Sequence, residues 1–153
     1  RSTLFPYTTL FRSPYSVMGL VEAFGNTQDD FEQGLDNVLG ILRATATKAS
    51  VALAEKRGAY PMAPSGVMQR NSHLLSLAPT SGISEAAGVS PGIYGPSLRP
   101  MDQLELLAIA SKHVDGGIAY TIQVPQSSPW SEFKNLFLAA HAVGLKSLHV
   151  ETF

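Results

Sequence analysis

The 153 residues carry 11 Lys and Arg against 12 Asp and Glu, with 44% hydrophobic and 15% charged residues and no cysteine. That is about one domain's length, enough to bury a core and too apolar for global disorder. The balanced charge excludes a basic nucleic-acid-binding field, the missing cysteine excludes disulfides and thiol chemistry by this chain alone, and no uncharged apolar run approaches the roughly 18 residues of a membrane span.

Residues 1–13 read Arg-Ser-Thr-Leu-Phe-Pro-Tyr-Thr-Thr-Leu-Phe-Arg-Ser, with Thr-Leu-Phe twice and Arg-Ser at both ends. The string has no helical period and lacks the apolar run and cleavage site of a signal peptide. It resembles a translated sequencing adapter and is set aside as a non-native scar, so the domain is expected to occupy residues 14–153. Without Arg1 and Arg12 there are 9 basic residues against the 12 acidic ones, a mildly acidic remainder. The natural N-terminal part of the protein is then expected to be missing.

Residues 15–24 form a short apolar stretch consistent with a helix of two or three turns. The strongest helical pattern follows. Asp29 and Asp30 suit a helix N-terminus, and Phe31, Leu35, Val38, Leu39, Leu42, Ala46, Ala49, Ala52 and Leu53 recur at a spacing of three to four. Lys56 and Arg57 suit the last turn, with Gly58 as C-cap and Pro61 beyond, which predicts a helix over 29–57.

Residues 58–100 hold six of the ten prolines and six of the thirteen glycines. Within them His73-Leu-Leu-Ser-Leu-Ala78 reads as a buried strand, 79–84 as a loop and 85–87 as one helical turn. Asp102 is then expected to cap a helix whose apolar face holds Leu104, Leu106, Leu107, Ile109, Ala110 and Val114, ended by Gly116-Gly117. Residues 118–124, rich in β-branched side chains, read as a strand. Ser128 as N-cap and Pro129 at the first helical position open another helix, with Trp130, Phe133, Phe137, Ala140 and His141 on one side and Gly144 at its end. A final strand is expected over 146–153. Strand, loop, helix, strand, helix and strand in this order define an α/β fold.

Three motifs carry chemistry. Gly88-Val-Ser90-Pro91-Gly92 fits a nucleophile elbow, with Asp102 or Asp115 and then His141 following in hydrolase order. The oxyanion hole, however, needs the N–H of the residue after the nucleophile, and Pro91 has none. His73, His113, His141 and His149 lie 40, 28 and 8 residues apart, so no pair sits one turn apart on a helix and no metal site is expected. His141 is expected to be a half-buried packing residue. Pro79-Thr80-Ser81-Gly82-Ile83-Ser84 offers small and hydroxyl residues between a strand and a helical turn. Such a loop lets backbone N–H groups and hydroxyls converge on an anion. It is not a Walker loop.

Arg70-Asn71-Ser72-His73, the apolar run to Ala78, the loop Pro79–Ser84 and, eight residues on, Gly92-Ile93 together resemble the C-terminal barrel region of ribonucleotide reductase large subunits. Val17-Met18-Gly19-Leu20, Leu53-Ala-Glu-Lys-Arg-Gly58-Ala-Tyr-Pro61, Val114-Asp115-Gly-Gly and Gly144-Leu-Lys-Ser-Leu148 extend the likeness over nearly all of residues 14–153. The resemblance implies a ten-stranded α/β barrel, of which this chain would supply the later strands. It implies that Thr80, Ser81, Gly82, Ile83 and Ser84 hold the phosphates of a ribonucleoside di- or triphosphate. It also implies a cytoplasmic enzyme that reduces ribonucleotides by thiyl-radical chemistry, with no part for nucleic acid or membrane.

The family's cysteines lie outside the matched region, so the chain alone is expected to be inactive, to bind no cofactor and to depend on the rest of the large subunit. Where the family carries Gly-Ile-Glu-Pro, this chain has Gly92-Ile93-Tyr94-Gly95. Forms that take a radical from a small subunit carry adjacent tyrosines where His149 and Val150 stand here, which is closer to the adenosylcobalamin-dependent branch. The competing expectation is a noncatalytic α/β binding or scaffold module.

Overall fold

The computed structural model describes residues 31–77, 82, 86, 88, 99–118 and 120–152. The scar-like residues 1–13, the helix expected over 15–24 and most of the segment 78–98, with its elbow-like motif, lie outside them. The described elements are helix α1 (Phe31–Arg57), helix α2 (Pro100–Ser111), strand β1 (Thr121–Val124), helix α3 (Trp130–Ala142) and strand β2 (His149–Thr152).

Helix α1 has Glu32 in its first turn and Lys56 and Arg57 in its last, charges that complement the helix dipole. It stops where expected. Gly58 takes φ 78° and its N–H reaches back to the Ala54 carbonyl at 2.8 Å, a left-handed cap that side-chain-bearing residues rarely adopt. Its buried face starts as expected with Phe31, Leu35, Val38 and Leu39, then departs from the apolar pattern. Ala46 is buried as expected, but Ala49, Ala52 and Leu53 are exposed, and Ser50 and Ala54 continue the buried row from Ala46 instead. The small side chains of that row let residues 70–71 lie against the helix. Arg70 N–H donates to the Ser50 carbonyl at 3.1 Å, and Asn71 N–H donates to Ser50 Oγ at 3.1 Å.

Helix α2 is the centre of the molecule, packing on α1, α3 and β1. Gln103, Leu104, Leu106, Leu107 and Ala110 are buried on it, the wide apolar arc of a helix with several neighbours. Its start differs from expectation. Arg99 is the N-cap and Pro100 opens the helix, so Asp102 lies inside the first turn, where its carboxylate accepts from Arg99 Nε and Nη2, both at 2.9 Å. The helix also ends at Ser111, before Gly116-Gly117. Lys112 and His113 N–H tighten onto the carbonyls of Ile109 and Ala110, and Asp115 N–H is drawn to the Leu75 carbonyl at 3.1 Å.

β1 and β2 pair in parallel, Thr121 opposite His149 and Val124 opposite Thr152, with α3 as the crossover that parallel pairing requires. β1 is shorter than the expected 118–124. Its alternate residues Ile122 and Val124 are fully buried. Where the two chains enter the strands, Ser147 Oγ donates to the Ile118 carbonyl at 3.3 Å. A Cβ on Gly117 would stand 2.9 Å from that same Oγ.

Helix α3 begins one residue later than expected. Pro129 is extended at the N-cap (ψ 151°), with Trp130 as the first helical residue. It closes in a Schellman motif. Leu145 N–H reaches the Ala140 carbonyl and Gly144 N–H the His141 carbonyl, with Gly144 at φ 74°. The expected aromatic face is not the buried one. Leu136 and Ala140 are buried and Phe133 partly so, whereas Trp130 is 77% and Phe137 50% exposed and His141 is exposed, not a packing residue. Trp130 instead stacks on Phe133, with ring centroids 6.4 Å apart. Helix α3 packs on α2, and Leu136 and Ala140 are its buried residues.

No described helix is long and apolar enough to cross a membrane. Two parallel strands and the helices around them make an α/β unit. They fit a fragment of an α/β fold, and two described strands do not establish the ten-stranded barrel to which the resemblance assigns it.

Candidate functional site

Residues 73–77 lead directly to the hydroxyl-rich loop, and they are not a paired strand as expected. Leu74, Leu75 and Leu77 are buried, anchoring the segment in the core. Its backbone donors turn to a side chain rather than to a neighbouring strand. Leu74 N–H and Leu75 N–H both donate to Asp115 Oδ2, at 2.6 and 2.9 Å. The Asp115 N–H returns a bond to the Leu75 carbonyl. One residue thus supplies both the acceptor and the donor that an adjacent strand would have offered.

The carboxylate is held from its other side by α1. Arg43 Nη1 lies 2.6 Å from Asp115 Oδ1, with the Asp115 side chain 14% exposed. Burial pushes the Asp115 carboxyl up, and the Arg43 hydrogen bond with the Leu75 and Leu74 amides outweighs it, so the group sits below the ordinary carboxylate value. Lys146 Nζ, from the connection between α3 and β2, donates to the Asp115 carbonyl at 2.6 Å.

Two further links hold the same region. His113 Nε2 lies 2.7 Å from Asp36 Oδ1, tying the end of α2 to α1. That hydrogen bond lowers the Asp36 carboxyl against the opposing effect of burial. Upstream, Ser50 Oγ also faces Asn71 Oδ1 at 3.4 Å, and Arg70 Nη1 reaches the Ala59 carbonyl at 3.5 Å. Arg70 and Asn71 are therefore fixed on α1 just ahead of the buried leucines.

Of the five residues expected to bind phosphate, Thr80, Ser81, Ile83 and Ser84 lie outside the described residues. Gly82 is helical and exposed, with nothing within 4 Å of where a Cβ would stand. The hydrolase partners are not brought together. Asp102 is bonded to Arg99 and Asp115 to Arg43 and the leucine amides, while His141 is exposed in the last turn of α3. No three His, Asp or Glu gather as a metal-binding set among the described residues.

Sequence reasoning did not anticipate the Asp115–Arg43 clasp. A basic residue set between Leu39, Leu42 and Ala46 on α1, and a lone carboxylate after α2, were its available signals. Their separation of 72 positions left nothing to pair them.

Parallel strands joined by a helix, with further helices packed on the unit, place the chain among α/β proteins. Within that class it shares its fold with part of a ribonucleotide reductase. The alpha subunit of the class Id enzyme from Actinobacillus ureae matches with a TM-score of 0.71 and 20% sequence identity, over 90% of this chain and 38% of that one. The chain therefore spans well under half the length of the subunit it resembles. No protein-family model and no curated protein matches it.

Proposed function

We propose that this chain is part of the catalytic α/β barrel of a ribonucleotide reductase large subunit, and that its loop 79–84 holds the phosphates of the ribonucleotide. The observation that carries the proposal is the fold shared with a reductase alpha subunit over 90% of the chain. The order and spacing of Arg70-Asn71, the buried leucines, Pro79–Ser84 and Gly92-Ile93 support it independently.

In this reading Thr80, Ser81 and Ser84 donate hydroxyls, and the backbone N–H groups from Ser81 to Ser84 add donors that need no counter-charge from lysine. Gly82 lets the phosphate approach the backbone, and Ile83 is the apolar member of the loop. The leucines ahead of the loop give it a rigid base. The parent reduces a ribonucleoside di- or triphosphate by thiyl-radical chemistry, in the cytoplasm. Its radical comes from adenosylcobalamin or from a small partner subunit, outside the residues of this chain. With no cysteine in the sequence, this segment contributes substrate binding and scaffold, and not the hydrogen-abstracting group.

Isothermal titration of the full-length protein with a ribonucleoside diphosphate tests the site. Thr80→Ala with Ser81→Ala is expected to weaken binding about tenfold or more, the effect of losing two hydrogen bonds to a charged ligand. Unchanged affinity overturns the phosphate assignment. The 153-residue chain alone is expected to form no deoxyribonucleotide, and detectable product would contradict that division of labour. Extending the reading frame upstream separates this proposal from a noncatalytic module. A central cysteine in a strand context, flanked by Asn and Glu, supports the reductase.

A further inference from the structure

Beyond the Gly58 cap of α1 the chain makes an ordered loop that turns two thioethers to solvent. Two consecutive β-turns build it: Ala63 N–H donates to the Tyr60 carbonyl and Val67 N–H to the Pro64 carbonyl, both at 3.0 Å. Pro61 stands at the second position of the first turn, where its fixed φ is favourable. Gly66, third in the second turn, takes φ 85°, which a side chain would disfavour. Tyr60 N–H reaches the Gln69 carbonyl at 2.9 Å and joins the two ends of the loop. Arg70 then ties the exit back, its N–H to the Ser50 carbonyl of α1 and its Nη1 to the Ala59 carbonyl.

Tyr60, Ala63 and Val67 are half-buried in this loop, whereas Met62 is 87% and Met68 51% exposed. Met101, in the first turn of α2, is 41% exposed. The bonds that shape the loop are made by backbone groups and by Arg70, so a change at either sulfur leaves each of them in place. A thioether reacts with peroxide according to its access, and the product is a polar sulfoxide.

We infer that the loop after α1 is a reversible oxidation site, with Met62 as the first acceptor and Met68 as the second, and hydrogen peroxide as the oxidant. The methionine sulfur gives two electrons to the peroxide. An S–O bond forms as the O–O bond breaks, and the departing hydroxide takes the proton of the transferred oxygen and leaves as water. In the reverse direction a dithiol supplies the two electrons through methionine sulfoxide reductases of both stereochemical preferences; the dithiol becomes a disulfide and the oxygen leaves as water. Oxidation replaces the exposed apolar side chains of a fixed loop by polar ones without loosening the fold. It changes what this surface can meet and leaves the core alone.

The 153-residue chain is treated with hydrogen peroxide in buffer and in concentrated urea, and oxygen uptake at each methionine is followed by peptide mass mapping. In buffer Met62 is expected to oxidise several-fold faster than Met101, with Met68 between them. In urea the three rates are expected to converge, because burial no longer separates them. The chain oxidised at Met62 and Met68 is expected to keep its urea midpoint, and the paired reductases with dithiothreitol to return both residues to methionine. Oxidation of Met101 as fast as Met62 in buffer overturns the assignment. So does the same order of rates in urea, which would trace reactivity to sequence neighbours and not to the fold. A lowered urea midpoint after oxidation, or sulfoxides that the reductases cannot reach, overturns the reversible and structurally silent character of the site.

Discussion

Two extended segments of this protein are held in place by different physics. β1 is held by a ladder of backbone bonds to β2 and by the burial of Ile122 and Val124. Residues 73–77 are held by one carboxylate, which receives two amides and an arginine. A ladder spreads its stabilisation over several bonds, none of which titrates. A clasp concentrates it in a group that one substitution or one proton removes. The segment leading to the candidate site is therefore tunable, while the sheet behind it is not.

The largest effect is expected on the ladder side. Ile122→Ala removes a fully buried side chain from the core and is expected to cost about 3–4 kcal/mol in urea unfolding, without altering the acid sensitivity of the protein. Asp115→Ala is expected to cost somewhat less, about 3 kcal/mol, by leaving two amides and the Arg43 charge without their acceptor. Amide hydrogen exchange distinguishes the two. Protection at Leu74 and Leu75 is lost selectively in the Asp115 variant and falls together with that of β1 in the Ile122 variant.

Acid offers a subtler test. The Asp115 carboxyl titrates lower in the folded chain than in the unfolded one. Its stabilisation is therefore complete above the unfolded value of about 3.9 and is lost as pH falls through the lower folded value. Wild type should accordingly lose stability more steeply than Asp115→Asn as pH falls below about 4. Asp36, also lowered in the folded state, contributes in the same direction to both proteins and cancels from the difference. Equal slopes would show that the clasp contributes nothing to stability. The smallest effect belongs to the exposed flank of α3, where Trp130→Ala is expected to change stability by no more than about 0.5 kcal/mol.

The helices, both glycine caps at Gly58 and Gly144 and the two β-rich stretches were legible in the residues, because caps and periodicity are local properties. Which side of a helix meets the protein was less so. On α3 the aromatic rings made the heavier stripe, yet of that stripe only Ala140 is buried, together with Leu136, on the helix that packs against α2. On α1 a serine at position 50 is buried because its hydroxyl and carbonyl serve the backbone of residues 70–71, a use that no hydropathy pattern encodes. Of the buried strand expected at 73–78, Leu74, Leu75 and Leu77 are in the core, but residues 73–77 are not a strand. The Leu75 N–H is paired with a side chain 40 positions away. The clasp on residues 74–75 was not legible, because it depends on contacts between distant parts of the chain.

The hydroxyl of Ser147 on the Ile118 carbonyl, beside the tight Gly117, fastens β1 and β2 to each other where the chain enters them. Even the methyl group of Gly117→Ala would force that hydroxyl to rotate off its acceptor. The pair is thus hinged shut at its N-terminal ends. The carboxyl ends of the strands, at Val124 and Thr152, carry no such fastening among the contacts of the described residues.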